Sequence, residues 1–168
     1  IEREVAGTVN EVAAGLYANV PDAVRAQGTE AEIAWIRSAQ RDLDNLRSEF
    51  DLESRDSRGA SWDVRQAISG LGRLDSALDS KLDQTESRLG QERAAAERER
   101  QEQARKQILE TMDNVIADNR KFFQKGRDLA SLREGLMGQG GMTRQQADQE
   151  VMTRLEPYIA SIELNSLA

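Results

Sequence analysis

Residues 62–137 contain no proline and read as one very long helix, or as two long helices meeting at Gly90. At roughly 1.5 Å per residue an unbroken helix of that length would span about 114 Å, more than a compact domain of this size accommodates. The rest of the chain has to be arranged around this stretch. Just upstream, Ser57-Arg58-Gly59-Ala60 is turn-like, Ser61 is placed to cap a first helical turn, and Asp63 complements the helix dipole.

The apolar pattern changes twice along the stretch. Leu71, Leu74, Leu78, Leu82 and Leu89, with Thr85 in register, follow spacings of 3, 4, 4, 3 and 4. This eleven-residue repeat gives one narrow seam for a nearly straight partner helix. Asp75, Asp79, Asp83 and Glu86 fall on a different face, which reads as solvated acidic surface. Residues 91–107 then carry Gln, Glu, Arg and Ala without a large apolar side chain. A helix there buries almost nothing and rests on intrinsic propensity and on pairs such as Glu97 with Gln101 and Glu102 with Lys106.

Further on, Ile108, Val115, Phe122, Leu129 and Leu136 form one column, and Leu109, Ile116, Phe123, Ala130 and Met137 the adjacent one, widened by Met112 and Leu132. A two-column face fits a helix lying against two neighbours. Gly90 follows Leu89 as a helix-ending glycine would and is the candidate hinge. A hairpin turning there would oppose Leu82 and Leu89 with alanines and Arg98, which cover them poorly, so the unbroken rod is favoured. Gly70 and Gly72 lie within the leucine seam and predict close helix approach.

Before the long stretch, residues 1–20 place Ile1, Val5, Val9, Val12, Leu16 and Val20 on one helical stripe flanked by Ala13 and Tyr17, and Pro21 ends it. After a possible single turn, Thr29 and Glu32 have the spacing of a capping box and open a second helix to about Glu53. Its stripe is Ile33, Ile36, Ala39, Leu43, Leu46 and Phe50, with Trp35 beside it as a packing anchor. After the stretch, Gly138-Gln139-Gly140-Gly141 reads as a flexible linker, since it has neither the lysine nor the preceding strand of a phosphate loop. Thr143 and Gln146 form a second capping box, and the last helix carries Ala147, Val151, Leu155, Ile159 and Ile162, with a kink or restart at Pro157.

No period-two alternation appears, so the fold class is all-α: an elongated helical bundle or coiled-coil assembly of four to five helices. The expected organisation is a helical pair over 1–56, a long helix or hairpin over 62–137, a glycine-rich linker over 138–142 and a C-terminal helix over 143–168.

Composition narrows the chemistry. The absence of cysteine and histidine removes disulfides, thiol nucleophiles, imidazole bases and the common zinc sites together. Asp42, Asp44, Glu49, Asp51, Glu53 and Asp56 do not meet the ligand spacing of a calcium loop. A net charge of −7 without a basic cluster argues against nucleic acid as a main partner. No apolar run approaches the roughly 18 residues of a membrane span, and no signal-peptide pattern is read. Because the sequence opens on Ile1 rather than methionine, the expectation is a processed chain or an excerpt of a longer protein.

These features point to a non-enzymatic structural or assembly protein, with no catalytic residue, cofactor or metal. Its helices would pack with copies of itself or other subunits in a larger complex, such as a virion, tail, injection or secretion component. The expected interface is Leu71, Leu74, Leu78, Leu82, Leu89, Ile108, Val115, Phe122 and Leu129. The alternatives are a helical-bundle sensor or adaptor, with Trp35, Arg37 and Arg41 lining a pocket, or a chaperone-like binding protein.

Overall fold

The computed structural model describes the backbone of residues 2–56 and 62–167 and the side chains of residues 7–51, 62 and 64–167. The expected turn at 57–60, the capping roles of Ser61 and Asp63, and the side chains of Ile1 and Val5 lie outside the described residues. The elements are α1 (Glu2–Tyr17), the single turn α2 (Asp22–Arg25), α3 (Thr29–Asp56), α4 (Trp62–Ala117), α5 (Phe122–Gly138) and α6 (Arg144–Leu167). The fold is all-α, with no strand among the described residues. The chain divides into two compact units, Ile1–Glu92 and Arg93–Ala168.

In the first unit, α3 and the first part of α4 run antiparallel. Thr29 Oγ1 donates to the Glu92 carboxylate (2.9 Å), Arg37 pairs with Glu86 (2.7 Å), and Gln40 donates to Asp79. α1 runs alongside α4 in the same direction: Asn10 lies over Gly70, and eleven residues further along α4 Lys81 Nζ donates to the Ala18 carbonyl (2.7 Å). The result is an up-down-up arrangement of three helices around Ala13, Val20, Ile36, Ala39, Leu43, Leu71 and Leu78. Each fully buried large side chain of this set contributes about 1.5–3 kcal/mol of transfer free energy.

α1 turns a different face inward from the one its stripe implies. Ala13 and Val20 are buried and Tyr17 is half-buried, whereas Val12 and Leu16 are exposed. The reason is the close α1–α4 crossing. A Cβ on Gly70 would stand 2.7 Å from Asn10 Oδ1, so α1 can approach only with small or polar groups at the crossing, and its larger residues are rotated outward. The proposed capping box of α3 does not form either. Thr29 reaches Glu92 and Glu32 pairs with Arg88, both across to α4, while Gly28, at φ +108, makes the entry turn.

α4 passes through Gly90 without a break. A Cβ added at Gly90 would meet nothing within 4 Å, so this glycine serves neither a turn nor a close contact. Every side chain of residues 90–100 is exposed. The long helix does end, without a glycine, at Ala117, twenty residues short of the Met137 to which the favoured unbroken rod would run. Asp118 Oδ1 accepts the Arg120 amide (2.9 Å), a side chain satisfying the backbone where the helix ladder stops. The columns read as continuous across 108–137 therefore belong to two helices.

In the second unit, the last part of α4 and α5 are antiparallel, with Ile108 Cδ1 3.2 Å from the Cβ position of Gly135. α6 returns along α5, Arg133 pairing with Asp148 (3.2 Å), and lies beside α4 through Arg154 and Asp113 (3.1 Å). This core is Met112, Val115, Leu129, Leu136 and Ala147. The segment read as a flexible linker is a closed turn. Gly141 takes φ +62, the Gly140 and Met142 amides donate to the Gly135 and Leu136 carbonyls, and Arg105 donates to the Gly140 carbonyl. Gly140 has no room for a Cβ, which would stand 2.6 Å from the Leu136 oxygen. The second capping box forms reciprocally: the Gln146 amide donates to Thr143 Oγ1 (3.2 Å), and the Thr143 amide to Gln146 Oε1 (3.0 Å). α6 continues through Pro157.

Candidate interaction site

Most of the residues read as an interface are consumed within the chain. Leu71 and Leu78 are fully buried in the first core, with Leu74 and Leu82 packed against it and Leu89 half-buried. Val115 and Leu129 are buried in the second, with Ile108 packed against it. The leucine seam thus meets α1 and α3 of the same chain. Phe122 alone of the nine is exposed, because the turn at 118–121 places it outside the two-column face.

Val12, Leu16 and Trp62 are exposed in the first unit and Met152 midway along α6, but the largest group of exposed apolar side chains lies at one end of the second unit. Phe122 and Phe123 are 60% and 75% exposed at the start of α5; Ile159, Ile162, Leu164 and Leu167 are 39%, 45%, 70% and 85% exposed in the last part of α6. One contact brings the two segments together. Lys125 Nζ sits 4.3 Å from the centre of the Tyr158 ring, and Phe122 and Ile162 are each about one turn from that contact.

Lys125 is itself buried, and its ammonium donates to the Ile116 carbonyl (2.6 Å) in the last turn of α4. A cation at a helix C-terminus meets the negative end of the dipole, and the aromatic face adds a further favourable contact. Lys125 thereby joins α4, α5 and α6 where their ends meet. Beside it, Arg120 pairs with Asp128 and with Asp118 (2.8 Å). The bond to Asp128 chiefly, with the Asp118 charge, raises the guanidinium pKa further. Arg127 lies 6.0 Å from the Phe123 ring centre. An open depression of about 610 Å³ between residues 116–120 and Arg154, Pro157 and Tyr158 adjoins these groups. The doublet Phe122-Phe123 was legible as apolar; the signal that it faces out is Asp118-Asn119, a turn-forming pair just ahead of it.

In the first unit a groove of about 460 Å³ lies between α1 and α4, lined by Asn10, Ala13, Gln66, Gly70 and Leu74 among others. Asn10 Oδ1 is buried there with no hydrogen-bond donor among the described residues. Trp35 packs against Tyr17, with ring centres 6.4 Å apart, and Arg37 is committed to Glu86, so neither lines this groove. The acidic row of α4 borders α3 instead of facing only water: Asp79 and Glu86 accept from Gln40 and Arg37. Asp75 is half-buried there, and its pKa is raised by burial first and then by Asp44 and Asp79, against the lowering by Arg47. Among the described residues no three carboxylates converge as metal ligands would, and no helix is long and apolar enough to cross a membrane. The chain matches no protein-family profile, no curated protein and no solved structure.

Proposed function

We propose that this chain is a non-enzymatic assembly component, whose helices pack with copies of itself or with other subunits of a larger complex. The observation that carries this reading is the apolar end of the second unit, where six large side chains stand in water beside a complete core. Large apolar side chains gathered at one end of a unit and left exposed favour a contact surface there. Light scattering over a range of concentrations tests it: the expected mass is a multiple of 18.7 kDa. A strict monomer would remove packing with copies of itself and leave other subunits.

A ligand-binding bundle is the second reading, favoured by the buried, unbonded Asn10 oxygen in the α1–α4 groove. It requires a small molecule with a hydrogen-bond donor to protect the first unit against unfolding, and Asn10→Leu to abolish that protection.

A further inference from the structure

We infer that the apolar end of the second unit is a self-association surface. On it, the last part of α6 of one copy packs over Phe122 and Phe123 of another, and the reverse contact closes a twofold dimer. This rests on the assembly reading and names its partner as a second copy. Two features of the surface identify that occupant.

The first is size. With the exposures of the two phenylalanines and of Ile159, Ile162, Leu164 and Leu167, the free apolar area summed over the two segments is on the order of 750 Å² per copy, taking about 200 Å² for a whole large side chain. That exceeds what a monomer normally leaves open, and covered on both copies it comes to about 1,500 Å², within the range of a standard-sized interface, about 1,200–2,000 Å² in total.

The second is charge. The α5 side carries Lys121 and Arg127 around Phe122 and Phe123, and Lys121 at the start of α5 provides no side-chain cap for the first amides. The α6 side carries Glu163 among its apolar residues. Among the described residues Glu163 and Lys121 make no ion pair, so both charges are available. A twofold contact pairs them twice, Glu163 of each copy against Lys121 of the other, because residue i meets j and j meets i. The alternative occupant, an anionic bilayer, fits less well. Arg120 is neutralised by Asp118 and Asp128, Lys125 is buried, and Glu163 would face the lipid headgroups.

The test is sedimentation equilibrium of the full chain, alone and with substitutions at exposed positions. The wild type is expected at twice 18.7 kDa. Phe123→Ser with Leu167→Ser is expected to return it to the monomer, with an unchanged far-UV circular dichroism spectrum showing that folding is intact. Lys121→Glu and Glu163→Lys are each expected to weaken the dimer at least about tenfold, and the two together to restore it. A wild-type oligomer insensitive to these changes overturns this surface while leaving the assembly reading in place. A wild-type monomer overturns the inference and also removes copies of itself from the proposed function. Should that monomer co-sediment with phosphatidylcholine–phosphatidylserine vesicles, and the serine variant not, the occupant is a bilayer and the inference is likewise wrong.

Discussion

Leu78 is wholly enclosed in the core that α1, α3 and α4 build, so Leu78→Ala removes buried methyl groups and leaves a cavity. The expected cost is about 2–5 kcal/mol. Within the chain Phe122 stands at 60% exposure, and at concentrations low enough to keep the chain monomeric Phe122→Ala is expected to change stability by no more than about 0.5 kcal/mol. Urea titration of both variants checks the pair, and a Phe122→Ala loss as large as that of Leu78→Ala would contradict the assignment. Asp75 gives a pH dependence. Its carboxyl has a higher pKa in the folded chain than in the unfolded one, so protonation favours folding. That contribution is fully present below the unfolded value of about 3.9 and is lost as pH rises through the folded one. Asp75→Asn keeps a neutral group at all pH values, so its stability relative to the wild type is expected to rise between about pH 4 and pH 7. Urea midpoints at the two pH values that differ by the same amount would refute this.

The helices themselves were largely legible, since their apolar periods, the Thr143–Gln146 box and Pro21 are local signals. What escaped was set by contacts distant in sequence. The columns from Ile108 to Met137 keep a seven-residue spacing across 118–121 by coincidence, and the approach of Ile108 to Gly135 and of Lys125 to Ile116 shows that the backbone reverses there. The glycines of 138–141 looked like slack, yet their turn is held by Arg105 of α4. Thr29 and Glu32 had the spacing of a cap, and their cross-helix partners Glu92 and Arg88 took them instead. The interface was the least legible part. An apolar stripe reads the same whether its partner lies in the same chain or another, and only burial within each core shows that Leu71 and Leu78 are already covered. The continuity of α4 at Gly90 follows from local physics alone: good helix formers on both sides and weak pairs such as Lys106 with Glu102 (3.5 Å). Backbone carbon chemical shifts from Leu89 to Arg105 are expected to be helical throughout. A loss of helical shift over several residues around Gly90 would place a hinge there.

The molecule is organised as two up-down-up sets of three helices, each with its own core, with α4 contributing to both. Ten consecutive residues from 91 to 100 are exposed along α4, so no buried apolar side chain couples the cores through that stretch. A chain built this way would keep one unit intact while the other opened. Hydrogen exchange of the Leu78→Ala chain measures this directly, because the substitution strikes one core only. The prediction is that amides around Ile36, Leu43 and Leu71 lose protection, while those around Met112, Leu129 and Leu136 exchange as slowly as in the wild type. Equal loss of protection in both sets would mean a single cooperative core and would contradict the account.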